Sequence, residues 1–121
     1  MKKTRMKKVL ATREGLIGEK TASGYIIDEH VPFVALPSKK GLYRAVKVRR
    51  GTKQIIALVL DVGPWNIHDD AYVLYNSRPQ AESGTDMFGR KTNKAGIDLS
   101  EKVWKYLDMT DNGDVEWEFI E

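Results

Sequence analysis

The sequence predicts an all-β fold, a small β-barrel carrying one short helix and one long inserted loop. Three observations predict it. Short stretches rich in β-branched and aromatic residues alternate apolar with polar side chains, as half-buried strands do. Clusters of Gly, Pro, Asn and Asp separate these stretches at close intervals. Only the stretch after Ser100 has helical spacing. With 121 residues, no internal repeat and no low-complexity linker, the chain reads as one domain with one core.

The elements follow in order. Residues 1–10, opening Met1-Lys2-Lys3-Thr4-Arg5-Met6-Lys7-Lys8, read as a basic arm ahead of a domain at 11–121. Only Val9-Leu10-Ala11 follows the charges, short of the ~7–15 apolar residues of a signal-peptide core, so no export leader is expected here. Gly15, Gly18 and Gly24 punctuate the next segment, with Thr21-Ala22-Ser23-Gly24 a turn before a short strand at Tyr25-Ile26-Ile27. His30-Val31-Pro32 and Leu36-Pro37-Ser38 break the pattern again. Ala45 to Arg49 alternates as a strand, Arg50-Gly51-Thr52-Lys53 is a turn, and Gln54 to Val62 is a buried strand, which together make a hairpin.

The segment 66–95 is an insertion of different character. Asn66 to Asp70 is polar, Ala71 to Tyr75 reads as a brief strand, and the remainder is rich in turns. A loop this long inside a compact domain is either functional or disordered. Ser100 then suits a helix N-cap, Glu101 the first turn, and Val103, Trp104 and Leu107 one apolar face. After the turn at Asp111-Asn112-Gly113-Asp114, the residues Val115, Trp117 and Phe119 alternate as a final strand.

Composition excludes several classes. A hydrophobic content of 41% with 31% charged residues fits a globular chain, not a disordered one. No apolar run approaches the roughly 20 residues of a membrane helix. The absence of cysteine excludes disulfides and thiolate metal sites. The net charge of +3 hides an asymmetry: residues 1–60 hold 14 cations against 4 acids, and residues 61–121 hold 6 against 13. Such a dipole suits an acidic site facing away from a basic surface. The basic run reads as a solvated arm, so nucleic acid is not the expected partner.

The stretch Ile55 to Trp65 carries the candidate chemistry. A buried strand runs into Asp61, then into Gly63-Pro64 and Trp65. A strand end is a rigid mount that opens toward solvent, so Asp61 is held in place yet able to reach a ligand. The other reading of Asp61 is a turn cap, a common role for Asp before Gly or Pro.

Thr21-Ala22-Ser23-Gly24, a Leu-Pro pair, a Val-x-Val strand, Asp61-Val62-Gly63-Pro64 and Ile97-Asp98-Leu99-Ser100 follow one another in an order that resembles the six-stranded double-psi β-barrels. The branch most similar is that of the rare-lipoprotein-A-like domains, related to expansins and some endoglucanases. The resemblance covers roughly residues 11 to 120. It implies a groove for peptidoglycan or another β-linked glycan, Asp61 at the position of the lytic transglycosylase aspartate, and Asp98 at the acid-bearing position of the endoglucanase and expansin branches. It also implies a cell-envelope or secreted setting and no cofactor. Two positions depart from the lytic branch: Tyr25 stands where it has a glutamate, and Ala35-Leu36-Pro37 lacks the histidine before the Leu-Pro pair.

On this reading the catalytic candidates are Asp61 and Asp98, with Asp98 otherwise a helix-capping or barrel-bracing residue. The candidates for substrate binding are Trp65, Tyr72 and Tyr75 as a sugar-stacking platform and Arg78, Arg90 and Asn93 as donors. The aromatic three could equally pack the insertion onto the barrel, and Trp104 and Trp117 fall at core positions. His68, Asp69, Asp70 and Asp86 hold metal-ligand chemistry, but neighbours in sequence seldom converge on one ion, so a solvated polar loop is expected and no metal. The expected function is glycan cleavage of the lytic transglycosylase kind with Asp61 as acid/base. The alternatives are a non-catalytic expansin-like binding module and a structural or interaction protein of a phage or secretion apparatus.

Overall fold

The structure is a computed structural model, and it describes residues 6–120. Six strands close into a barrel: β1 (Lys7–Arg13), β2 (Phe33–Leu36), β3 (Ala45–Arg50), β4 (Lys53–Val62), β5 (Ile97–Leu99) and β6 (Gly113–Phe119). Their order around the barrel is β1-β5-β2-β4-β3-β6. The pairs β1/β5 and β2/β4 run parallel and the other four run antiparallel. Closure removes every sheet edge, so no strand is left with a free row of backbone groups. The expected all-β, six-stranded barrel is present.

Alternation decides which side chains fill it. Val9 and Ala11 of β1, Val46 and Val48 of β3, Ala57 and Val59 of β4, Ile97 and Leu99 of β5, and Val115 and Trp117 of β6 all face inward and are buried. The helix α2 (Glu101–Tyr106) starts at Ser100, whose hydroxyl accepts from the Val103 N–H at 3.4 Å and from the Phe33 N–H at 3.0 Å. It buries Val103 and Trp104 against the core, with Leu107 just beyond its end. The β3–β4 hairpin turns at Gly51-Thr52 between the paired residues Arg50 and Lys53, with Gly51 at φ +61°.

Four expectations are corrected. The basic arm does not extend to residue 10: β1 begins at Lys7, and Lys7 to Ala11 pair with β6. The first five residues of that arm lie outside the described part. Tyr25 to Ile27 form no strand, only a single bridge between Lys20 and Ile26, because Ile27 turns outward to pack on Phe33 and Leu60. Ala71 to Tyr75 do not form a strand either. Asp70–Val73 is a short helix, α1, so helices number two where one was expected.

The reason for α1 lies in its neighbours. Tyr72 and Val73 are consecutive and both pack into the same core cluster, whereas a strand would send their side chains to opposite faces. The Lys7 ammonium donates to the carbonyls of Tyr72, Val73 and Tyr75, which end that helix. The rest of 66–95 is ordered by a 3-10 turn at Gln80–Ser83 and a bridge between Thr85 and Lys91.

Candidate functional site

Three strands meet at Ala35. Ala35 of β2 pairs with Asp98 of β5 on one side and with Asp61 of β4 on the other. Residues opposite one another on neighbouring strands share a face, so both carboxylates stand over Ala35, their Cα atoms about 10 Å apart across two strand spacings.

A bulge makes this possible. Val34 pairs with Val59, but Ala35 pairs with Asp61, so Leu60 is an extra residue in β4. Without it Leu60 would stand beside Ala35 and Asp61 would point the other way. Asp61 is then held by two backbone donors, the N–H of Ala22 and that of Val62, each at 2.9 Å from Oδ1. The Thr21–Gly24 turn thus docks directly on the strand-end aspartate. Asp98 accepts from the hydroxyl of Thr12, its register partner on β1.

A third carboxyl joins them. Glu14 follows β1, with its N–H on the Leu99 carbonyl at 2.8 Å, and its side chain lies within hydrogen-bonding reach of both Asp61 and Asp98. Burial, then the bond to Asp61 and the charge of Asp98, push the Glu14 carboxyl up to about 9. Burial first also raises Asp98, to about 6; the charge of Asp61 adds to this, while the Thr12 hydroxyl and Glu14 pull the other way. Glu14 and Asp98 are both raised, Glu14 further, so at neutral pH the proton of the cluster resides on Glu14.

Sequence reasoning missed Glu14. The signal available was its setting, a carboxylate at a strand end just before Gly15, the same syntax as Asp61 before Gly63. Counting residues 1–10 as an arm hid the strand it terminates.

The candidate binding residues divide in two. Trp65, Arg90 and Asn93 converge on one another just after the strand that carries Asp61. A Cβ on Gly63 would lie 3.9 Å from both Asp98 Oδ2 and the backbone nitrogen of Trp65, so the turn between Asp61 and Trp65 passes over Asp98. The indole N–H donates to Asn93 Oδ1 at 2.9 Å, and Arg90 donates to the Trp65 carbonyl at 2.7 Å with its guanidinium 5.8 Å from the ring centroid. Arg90 also pairs with Asp86 at 2.6 Å, so it braces the ring.

Tyr72, Tyr75 and Arg78 are elsewhere. Tyr72 is 1% exposed; its hydroxyl donates to the Gly96 carbonyl at 2.9 Å and accepts from the Trp117 indole at 2.8 Å. It is a core residue and offers no face to a sugar. Tyr75 is exposed, but its carbonyl receives Lys7, and Lys7 lies five residues along β1 from Thr12, about 16 Å away. Arg78 grips Glu82 and the Lys8 carbonyl, and it lines a separate open cavity with Lys8, Lys94 and Asp114. None of the three reaches the carboxyl cluster.

The polar loop is not solvated as expected. Asp69 and Asp86 are buried: Asp69 accepts from the Gln80 N–H at 2.8 Å, and Asp86 accepts from the N–H groups of Phe88 and Arg90 and from the Arg90 side chain. Asp70 takes the Ser38 hydroxyl at 2.6 Å and Lys40 at 3.1 Å. These acids are spent on separate structural contacts, and no group of three or more His, Asp or Glu among the described residues could hold a metal ion. Asp86→Ala is expected to lower the Tm and to change the Trp65 fluorescence, since it frees Arg90 from the indole; unchanged emission would contradict this brace.

A family model described as a domain of unknown function (DUF8814) matches residues 5–118. The chain belongs to that family. No curated protein matches the sequence. Among solved structures, the DUF8814 chain is similar to one titled Streptomyces papain inhibitor, with a TM-score of 0.59 over 97% of this chain and 96% of that one. Their sequences are 16% identical, so the likeness is one of fold. No helix among the described residues is long and apolar enough to cross a membrane.

Proposed function

We propose that this DUF8814 domain cleaves a β-linked glycan, with peptidoglycan the leading substrate. The observation that carries the reading is the convergence of Glu14, Asp61 and Asp98. Glycosidic cleavage needs a proton for the leaving oxygen and an anion near the oxocarbenium-like centre. Glu14, raised by burial and by its neighbours, is the proton donor. Asp61, held by two backbone N–H groups, is the fixed anion. Asp98, with Thr12 on one oxygen, accepts the proton of the attacking hydroxyl.

In a lytic reaction the glycosidic C–O bond breaks as Glu14 gives its proton to the departing oxygen. The sugar's own hydroxyl then closes on the anomeric carbon and loses its proton to Asp98, and transfer from Asp98 to Glu14 resets the site. This moves the acid role from Asp61 to Glu14, and it supplies a glutamate from β1 where Tyr25 stands at the family's position.

The test is incubation of sacculi with the protein and with Asp98→Asn, followed by mass spectrometry of the released fragments. Anhydro-ended products from the parent alone are expected. Reducing ends would mean water is the nucleophile. A second reading, non-catalytic glycan binding, is favoured by the lost Glu and His of the lytic pattern. Co-sedimentation of both proteins with sacculi without products would establish it. Neither products nor binding would sink both readings.

A further inference from the structure

Another aromatic residue, Tyr43, stands between β2 and β3. It is 66% exposed and pairs with no other ring among the described residues. Its backbone has φ +70°, the same value as Trp65, in the left-handed region that bulky residues rarely occupy. Surrounding bonds impose that conformation: the Tyr43 N–H donates to the Val59 carbonyl at 2.8 Å, and the Val59 N–H donates to the Arg44 carbonyl at 2.9 Å. Strained backbone that presents a large ring to solvent is a feature of ligand clamps.

Its neighbours tie it to the candidate site. The Tyr43 hydroxyl donates to the Ser23 carbonyl at 3.4 Å, the Ser23 N–H donates to the Leu60 carbonyl at 3.1 Å, and the preceding residue, Ala22, donates its N–H to Asp61. Trp65 leaves Asp61 in the other direction, through Gly63 and Pro64. Both aromatic residues are thus tied to Asp61 by short connections, Tyr43 through the Ala22-Ser23 turn and Trp65 through the chain itself. Of the other exposed aromatics, Tyr106 lies under Lys53 and Phe88 under Arg90, while Tyr75 sits at the far end of β1.

We infer that Tyr43 is a second sugar-stacking platform, and that the groove takes an extended β-linked oligosaccharide lying over Asp61 with one ring at Tyr43 and another at Trp65. This rests on the glycan reading above and adds to it a length requirement. A disaccharide covers one platform only; a longer chain covers both.

The experiment is calorimetric titration of the parent, Tyr43→Asn and Tyr43→Phe with N-acetylglucosamine hexamer and dimer. Asparagine tolerates the left-handed backbone, and Tyr43→Gly is the second ringless variant should Tyr43→Asn fold poorly. Loss of the ring is expected to weaken the hexamer about tenfold, as one good aromatic contact does. The dimer should bind all proteins alike and Tyr43→Phe should behave as the parent, a rescue that a purely structural role for the hydroxyl would not allow. A parent that binds hexamer with Tyr43→Asn unchanged overturns the platform and leaves the glycan reading standing. A parent that binds neither hexamer nor sacculi overturns both.

Discussion

Glu14→Gln is expected to yield a protein that is more stable and inactive. Glutamine keeps the shape of Glu14 and a donor toward Asp61 and Asp98, but it carries no transferable proton. Fragment release from sacculi should fall by about 10²–10⁴, the usual worth of a positioned general acid. Stability moves the other way. A carboxyl raised from 4.5 to about 9 in the folded state favours folding fully below its unfolded value, and that contribution is lost as pH climbs toward about 9. Asp98, raised from 3.8 to about 6, has the same sign over a lower window. The parent's Tm should therefore decline between pH 5 and 9, and Glu14→Gln should flatten the decline, with a gain of about 5 °C at pH 8. A parent whose Tm is level over that range would mean that the three carboxyls do not crowd one another. Gain of stability with loss of function is the signature of a site that keeps buried carboxyls together for its chemistry.

Trp117→Ala should be the most damaging single change to the fold. Trp117 is fully buried on β6, stacked edge-on against Tyr72 and Phe119 with ring centroids 5.9 Å and 5.1 Å away. Truncation leaves a cavity worth about 3–5 kcal/mol and takes the indole donor from the Tyr72 hydroxyl, which keeps its bond to the Gly96 carbonyl. A Tm drop of about 10 °C or more is expected for a chain of this size. Tyr72→Phe is the milder companion, costing about 1–3 kcal/mol because the Trp117 indole and the Gly96 carbonyl lose their partner. A Trp117→Ala protein that melts with the parent would show that the insertion, not the barrel, sets stability.

The difference between Tyr72 and Trp65 explains how much of the site was legible. Both are aromatic residues near the start of the insertion, and local sequence ranks them alike. Tyr72 is internal because α1 turns it onto Trp117; Trp65 stays at the surface because the Gly63-Pro64 turn carries it away from β4. Helix α1 itself depends on Lys7, 65 residues distant from Tyr72 in sequence. No window around Ala71 to Tyr75 contains that information. Arg78 and Arg90 divide in the same way: each is paired with an acid four residues away, and only the fold puts Arg90 against the indole and Arg78 at the other end of β1.

By itself the sequence determined the all-β class, the β3–β4 hairpin, the Ser100-capped helix, the core pattern of β6, and Asp61 as a strand-borne carboxylate. Each of these follows from period, propensity or capping within a few residues. Tertiary structure alone decided that Asp61 and Asp98 share a face, because one extra residue, Leu60, shifts β4 against β2. It also decided that Glu14 completes the cluster and that the hydroxyl of Tyr43 docks on the turn that holds Asp61. Register and closure are set by strands far apart in the chain, and a slip of one residue would send each of these side chains to the opposite face.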